Sequence, residues 1–297
     1  NRIDNEICVG INPYSLEWTK LAHKLQEQGD NVIAGDFSNF DGSLSLQIVY
    51  RIGEKINEWY GDDSYNQATR ITLWEHICNA DVLVRGDVIR QTHSQPSGNP
   101  LTVIVNSIFN SIVMRMAYIQ LKIDQGLSPR CDFTKYVANA NYGDDNLLSI
   151  NHRVLDWYNQ ETITVALSKF GLTYTDETKS GQLTKCRKLV DVAFLKRKFV
   201  IQPDGTFMAP MDLSNTLEIT NWIRGKAIRL ATKENCACAL MELSLHSMAI
   251  YNQYSQLIKD ACQNAGIYLE CPTYWEWMAE YHINRDSYAA SPYTPLW

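Results

Sequence analysis

The sequence predicts an α+β fold, in which an antiparallel sheet backed by helices in the split β-α-β-β-α-β arrangement is followed by a mainly helical region. Three observations lead there. A short apolar run ends at Gly35-Asp36, two apolar runs flank Gly143-Asp144-Asp145, and helical periodicity fills the stretches between and after them.

Asn31 to Asp36 passes through Val32, Ile33 and Ala34 and stops at Gly35, as a short buried strand does. Ser45 to Tyr60 sets Leu46, Val49, Tyr50, Ile52 and Ile56 at helical spacing. Pro100 follows Ser97-Gly98-Asn99 where a first helical residue belongs, and the pattern carries that helix to about Gln120. Tyr136 to Tyr142 and Asn146 to Ile150 read as strands joined by a tight Gly143-Asp144-Asp145 connection. A helix over roughly Val154 to Phe170 ends at Gly171. Asp191 to Phe199 and Lys198 to Met208 suggest a further hairpin that turns at Pro203-Asp204-Gly205. From about Pro210 the pattern is helical and rich in Trp, Met and Leu. The expected domains are therefore 1–209, with about 51–95 inserted, and a helical 210–297.

With 297 residues, 45% of them hydrophobic and 20% charged, the chain can bury a sizeable core, which excludes a disordered or collagen-like class. The longest apolar stretch, Leu101 to Ile119, is broken by Asn106, Ser107, Asn110, Ser111 and Arg115, so it is not a bare membrane span. The eight cysteines are scattered, as reduced thiols would be. Cys236-Ala237-Cys238 with His246 could be half a zinc site, but no second ligand pair has the spacing, and the apolar neighbours suit core thiols better. No signal segment opens the chain, and Asn1 in place of Met suggests a piece of a longer polypeptide. The net charge of −6 has the wrong sign for a simple nucleic-acid binder. Bound divalent cations would reverse the local field around Asp36, Asp41, Asp144 and Asp145. Local basic content lies at Lys185, Arg187, Lys188, Lys196, Arg197 and Lys198.

Chemistry concentrates in three places. Gly35-Asp36-Phe37-Ser38-Asn39-Phe40-Asp41-Gly42 puts one carboxylate at a strand end and another past a turn. An EF-hand does not fit, because Asp41 stands where that loop needs Gly and Gln47 where it needs Glu. Asp144 and Asp145 are like charges at a hairpin tip, which either face water or hold cations. Taken alone, each segment is also what an ordinary polar turn looks like. If the first strand and the hairpin are sheet neighbours, Asp36 and Asp144 meet, and such a pair can hold two Mg²⁺ ions about 4 Å apart. Third, Ser97-Gly98 precedes Thr102 and Asn106, four apart on one helix face, where a hydroxyl and an amide could read a ribose 2′-hydroxyl. An ordinary helix cap with polar residues on its wet side has the same appearance.

The order of these segments resembles polymerase motifs A to E of picornavirus-like RNA viruses, with phrasing nearest the insect dicistroviruses. The residues that carry it are Gly35 to Gly42, Gln95-Pro96-Ser97-Gly98 with Thr102 and Asn106, and Tyr142-Gly143-Asp144-Asp145. Gly171-Leu172-Thr173-Tyr174-Thr175 with Lys179-Ser180, and Phe194-Leu195-Lys196-Arg197, complete it. The match covers at least Gly10 to Phe199, and the helical remainder resembles the family's thumb. The resemblance implies a polymerase palm with part of the fingers over 1–209 and a thumb over 210–297. It implies template-directed RNA synthesis, with Asp36 and Asp144 as principal metal ligands, Asp145 assisting, and two Mg²⁺ ions or Mn²⁺ as cofactor. Asp41, Ser97, Gly98, Thr102 and Asn106 would bind the incoming ribose, and Lys179 would protonate the leaving pyrophosphate. Lys196 and Arg197 would meet RNA phosphates. The implied partners are an RNA template and primer, NTPs, a small genome-linked protein as primer, and other viral replication proteins. The implied setting is the host cytoplasm at membrane-associated replication complexes, with no transmembrane segment in this chain. The basic motif that grips the triphosphate in the family's long N-terminal fingers has no counterpart among the 35 residues before Asp36, so the isolated chain is expected to have little activity. A reverse transcriptase would carry a bulky residue in place of the Asp41 and Asn106 pair. A non-catalytic RNA-binding module would lack one of the metal carboxylates.

Overall fold

The computed structural model describes residues 3–91, 93–179, 183–223 and 227–284; Ser180, beside Lys179, lies outside them. The chain divides into two compact units, residues 1–10 with 24–194 and residues 11–23 with 195–297. The boundary therefore falls at Phe194-Leu195, ahead of the sequence-derived 209–210, and assigns an early segment to the later unit.

In the first unit the end of α1 (Leu16–Gln26) leads into β1 (Val32–Ser38). After β1 come α2 (Phe40–Ser43), α3 (Leu46–Tyr60), α4 (Ser64–Cys78) and a hairpin of β2 (Asp81–Val84) and β3 (Asp87–Arg90). The long α5 (Thr102–Asp124), the short α6 (Phe133–Tyr136), β4 (Val137–Tyr142), β5 (Asp145–Ile150), α7 (Gln160–Ser168), β6 (Thr173–Asp176) and β7 (Ala193–Phe194) follow. The main sheet has four strands in the order β4-β5-β1-β6, all antiparallel. With its two crossover regions this is the split β-α-β-β-α-β topology, so the expected α+β class is borne out.

Side chains alternate across a strand. Ile33, Phe37, Val137, Leu148, Ile150 and Tyr174 are buried in the main core with Val105, Phe109 and Val113 of α5 and with Ile163 and Leu167 of α7. Asp36 and Asp145 alternate to the other face. Helix α5 is long and apolar enough by composition to cross a membrane, but eleven of its side chains are buried, as in a core helix.

Two helix boundaries differ from the sequence reading for identifiable reasons. The helix expected from Val154 begins only at Gln160, because Asn159 and Thr162 form a capping box, the Asn159 side chain accepting from Thr162 N and the Thr162 hydroxyl accepting from Asn159 N. Helix α5 starts at Thr102, since Asn99 Oδ1 takes the Leu101 amide at 2.8 Å and keeps Pro100 in a turn. The hairpin around Pro203-Asp204-Gly205 is present, with β9 (Val200–Ile201) paired to β10 (Phe207–Met208) beyond β8 (Arg197–Lys198).

The second unit continues through helices α8 (Leu213–Glu218), α9 (Ile228–Leu243), α10 (Met248–Asn264) and α11 (Tyr274–Asn284). Its early segment is tied in by Trp18, whose ring stacks on Phe199 at 4.7 Å and whose Nε1 donates to Lys198 O. Thr19 Oγ1 accepts from Phe207 N at 3.0 Å. Cys236 lies with Cys262 in an apolar cluster with Leu240 and Leu269 and is a core thiol as expected, whereas Cys238, expected in the core with it, is exposed. Arg197 is buried and forked onto Glu242, with Nη2 to Oε1 at 2.7 Å and Nη1 to Oε2 at 3.0 Å, and it also donates to Tyr14 Oη and Ala209 O.

Removing one partner of a buried ion pair strands the other charge. Glu242→Ala should therefore destabilise the protein by about 3–5 kcal/mol in denaturant unfolding. Replacing Arg197 and Glu242 together by apolar residues of similar volume should recover most of that loss.

Candidate active site

The site grows from the end of β1. The register pairs Gly35 with Asn146, so the next residue outward on β1, Asp36, and the next on β5, Asp145, are neighbours on one face of adjacent strands. Asp144 sits one residue further, in the connection. Tyr142 pairs with Asp145, which leaves Gly143 and Asp144 as a two-residue loop. Gly143 has φ +64° and Asp144 is not among the positive-φ residues, the pattern of a type II′ hairpin with glycine first.

Helix α5 secures that loop. Gly143 N donates to Ser107 Oγ at 2.8 Å, and Asn110 Nδ2 donates to the carbonyls of Gly143 (3.1 Å) and Asp144 (3.0 Å). Neither Ser107 nor Asn110 was singled out from sequence as a site residue. Their signal was available, because polar residues at 106, 107 and 110 recur at helical spacing within an apolar helix.

Past Ser38 the backbone turns at Asn39, which is left-handed at φ +52°, and the short α2 folds back to present Asp41. Phe37 and Phe40 anchor that turn, their rings 4.6 Å apart, with Phe109 edge-on to Phe40. Asp41 collects two donors, Asn106 Nδ2 on Oδ1 at 2.6 Å and the Ser97 hydroxyl on Oδ2. Gln95 N donates to the Asp41 carbonyl at 2.8 Å. The structure thus brings together Asp41, Ser97 and Asn106 but gives Thr102 another task. Its hydroxyl donates to the Pro96 carbonyl at 3.1 Å, holding the loop that carries Ser97. Gly98 has φ +91° and open space where a side chain would project. The buried Asn106 Oδ1 has no partner among the described residues, which leaves one acceptor beside Asp41.

Lys179 closes the other side. Its amide donates to the Asp176 carbonyl in a tight turn with φ +52° at Lys179 itself, and its ammonium lies 2.7 Å from Asp36 Oδ2. The Asp36 carboxylate holds this exposed ammonium above the ordinary lysine range, and the charges of Asp144 and Asp145 act the same way. Asp144 is raised above the usual carboxylate range, chiefly by burial and then by the negative charges of Asp36 and Asp41. Of the two basic residues expected to meet phosphate, Lys196 is exposed in a turn where Leu195 and Lys196 both have positive φ. Arg197 is instead engaged by Glu242.

Among the described residues no three His, Cys, Asp or Glu side chains form a ready-made metal cage. Mg²⁺ keeps several waters and takes one or two carboxylates together with substrate phosphates, so it does not require such a cage. All-oxygen donors at Asp36, Asp144 and Asp145, with like charges raising Asp144, fit such an ion.

A family model for viral RNA-dependent RNA polymerase matches residues 1–263. The chain belongs to the viral RNA-dependent RNA polymerases. This polymerase chain is 40% identical over 295 residues to the replicase polyprotein of Acute bee paralysis virus, an alignment covering 96% of the chain and 16% of that polyprotein. With the replicase polyprotein of Drosophila C virus it shares 42% over 236 residues, 75% of the chain and 13% of the polyprotein. The chain therefore spans a small part of these relatives, whose insect-virus sources agree with the resemblance in phrasing. Among solved structures, the Sicinivirus 3Dpol RNA dependent RNA polymerase matches with a TM-score of 0.74 at 18% identity, over 95% of this chain and 57% of that one. At that identity the likeness concerns the fold.

A folded-state pKa above the unfolded one means that protonated Asp144 favours the native protein. Its stabilising contribution is present below the unfolded pKa and is lost as pH rises through the folded one. In chelator, Asp144→Asn should therefore raise the thermal midpoint at neutral pH, and the gain should vanish as pH falls below the carboxylate range.

Proposed function

We propose that this chain is the catalytic part of an enzyme that copies RNA, joining an NTP to a primer 3′-hydroxyl and releasing pyrophosphate. The observation that carries the reading is the adjacency of Asp36 on β1 to the Asp144-Asp145 turn, with Lys179 against Asp36 and the Asp41-Ser97-Asn106 cluster on the neighbouring loops.

Asp36 and Asp144, with Asp145 assisting, would hold divalent ions. When bound, two such ions lower the pKa of the attacking hydroxyl and stabilise charge on the phosphoryl group and the leaving oxygen. The protein's own share is positional. Asp41, oriented by Ser97 and Asn106, accepts a hydrogen bond from the ribose 2′-hydroxyl. Lys179, kept charged by Asp36, donates a proton to the departing pyrophosphate and offsets its charge. Lys196 is available to a backbone phosphate of the growing strand. Template RNA, primer and NTPs are the substrates on this reading, with a small genome-linked protein serving as primer. Replication would take place in the host cytoplasm, on membrane-associated complexes with other products of the polyprotein.

Two measurements on the complete polymerase that contains this chain test the reading. Asp144→Ala should cut RNA synthesis by more than the roughly 10- to 100-fold that loss of an outer-shell partner costs a metal site. It should also weaken Mn²⁺ binding followed by paramagnetic resonance; unchanged synthesis would remove the assignment. Asn106→Ala should lower the preference for NTP over dNTP by about 10- to 100-fold, the equivalent of one buried hydrogen bond of about 1–3 kcal/mol. Equal discrimination in the variant would remove the ribose role.

A further inference from the structure

The amide of Asn110 could point either way, and only one sense is useful. With Nδ2 toward the loop it donates to both the Gly143 and the Asp144 carbonyls; reversed, it would face them with an oxygen. Its other end is held from behind. Asn146 Nδ2 donates to Asn110 Oδ1 at 3.0 Å, and the Tyr174 hydroxyl donates to Asn146 Oδ1 at 2.8 Å. Asn110, Asn146 and Tyr174 are all buried, so water does not substitute for any of these bonds. The two carbonyls can only accept, so they fix the sense of Asn110 and through it that of Asn146, which leaves the Tyr174 hydroxyl to donate to Asn146 Oδ1 from a constrained position. Its ring packs 4.9 Å from Phe37, and its phenol crosses β1 at Gly35, where any β-carbon would overlap it.

We propose that Tyr174, Asn146 and Asn110 form a positioning relay in which the phenol on β6 buttresses two successive amides and so holds the Gly143-Asp144 backbone against helix α5. None of the three touches a reacting group. Their effect is to bring β6, the strand that leads to Lys179, and β1, the strand that carries Asp36, into the placement of the Asp144 carboxylate. Gly35 belongs to the device as the gap through which the phenol reaches Asn146. Only the kinetic consequence rests on the polymerase reading; the mechanical claim stands apart from it.

Tyr174→Phe removes one oxygen and keeps the ring. Tyr158→Phe is the matched control, because that phenol is equally buried and donates to the Met114 carbonyl of α5 at 3.1 Å, a bond that involves neither the Asn110 side chain nor the loop. In the complete polymerase, amide exchange at Gly143 should speed up about tenfold or more in Tyr174→Phe and in Asn110→Asp. Exchange at the paired amides of β1 and β5 should hold, and Tyr158→Phe should leave Gly143 unchanged. RNA synthesis by Tyr174→Phe should show kcat reduced roughly 10- to 100-fold, in the range of outer-shell partners of metal sites, with KM for NTP within about twofold and a higher Mg²⁺ requirement. Gly143 exchange in Tyr174→Phe equal to that of the wild type, or loosening spread over the whole sheet, would overturn the relay. Absence of RNA synthesis by the wild-type polymerase would instead overturn the polymerase reading, and the exchange comparison would still judge the relay.

Discussion

Gly35 on β1 faces Asn146 on β5, and the placement of the charged groups at the site follows from that one pairing. Because side chains alternate with a period of two, a slip by one residue would turn Asp36 into the helix-packed core and an apolar residue outward. The apolar residues that share the core face with Gly35 resist the slip, since Ile33 and Phe37 of β1 would have to leave the core together. A buried side chain of this size is worth about 1.5–3 kcal/mol, so register is enforced by hydrophobic burial well away from the carboxylates it positions. The same face then becomes polar toward the loop, where Asn146 and Asn110 replace aliphatic contacts with directional ones.

Concentrating Asp36, Asp41, Asp144 and Asp145 at one end of a sheet works against folding, and the pKa of Asp144 is raised first by burial and then by the charges of Asp36 and Asp41. The structure distributes that cost. Lys179 lies against Asp36, while Ser97 and Asn106 satisfy Asp41, so the repulsion that remains falls mainly on Asp144. On the proposed reading, a site that takes up divalent cations would benefit from retaining some of its repulsion, because complete internal neutralisation would leave the cations little to gain. Arg197 is the opposite case. Its charge is fully matched by Glu242 inside the second unit, and it serves packing there, although its place in the sequence suggested contact with RNA.

What could be read from the sequence followed from periodicity and order. The strand ending at Asp36 and the hairpin around Gly143 were legible because short apolar runs stop abruptly at glycine and aspartate. The link between them was not a matter of spacing; it came from the order of all the segments together. Helix α5 shows why the remainder was hidden. Ser107, Asn110, Ser111 and Arg115 were used only to exclude a membrane span, whereas Ser107 and Asn110 hold the loop, and Ser111 and Arg115 meet Glu6. A polar residue in an apolar helix announces that it has a partner but not which one, because that partner lies on a different element. The start of α7 was missed for a local reason: apolar spacing from Val154 outweighed the capping signal at Asn159-Gln160-Glu161-Thr162. The turn at Leu195-Lys196 adopts positive φ without glycine or asparagine, so composition gave no warning of it.

The segment 11–23 has a consequence for how the chain is made. Trp18 stacks on Phe199 and Thr19 pairs with Phe207, so a stretch synthesised early finds its neighbours only when residues near 200 have left the ribosome. Until then a tryptophan destined to be fully buried is exposed on a nascent polypeptide, and the main sheet has already been delivered and can assemble without it. The order of synthesis and the order of assembly therefore differ at this one segment. Any premature stop between the two units would release a chain in which residues 11–23 have lost their place to go.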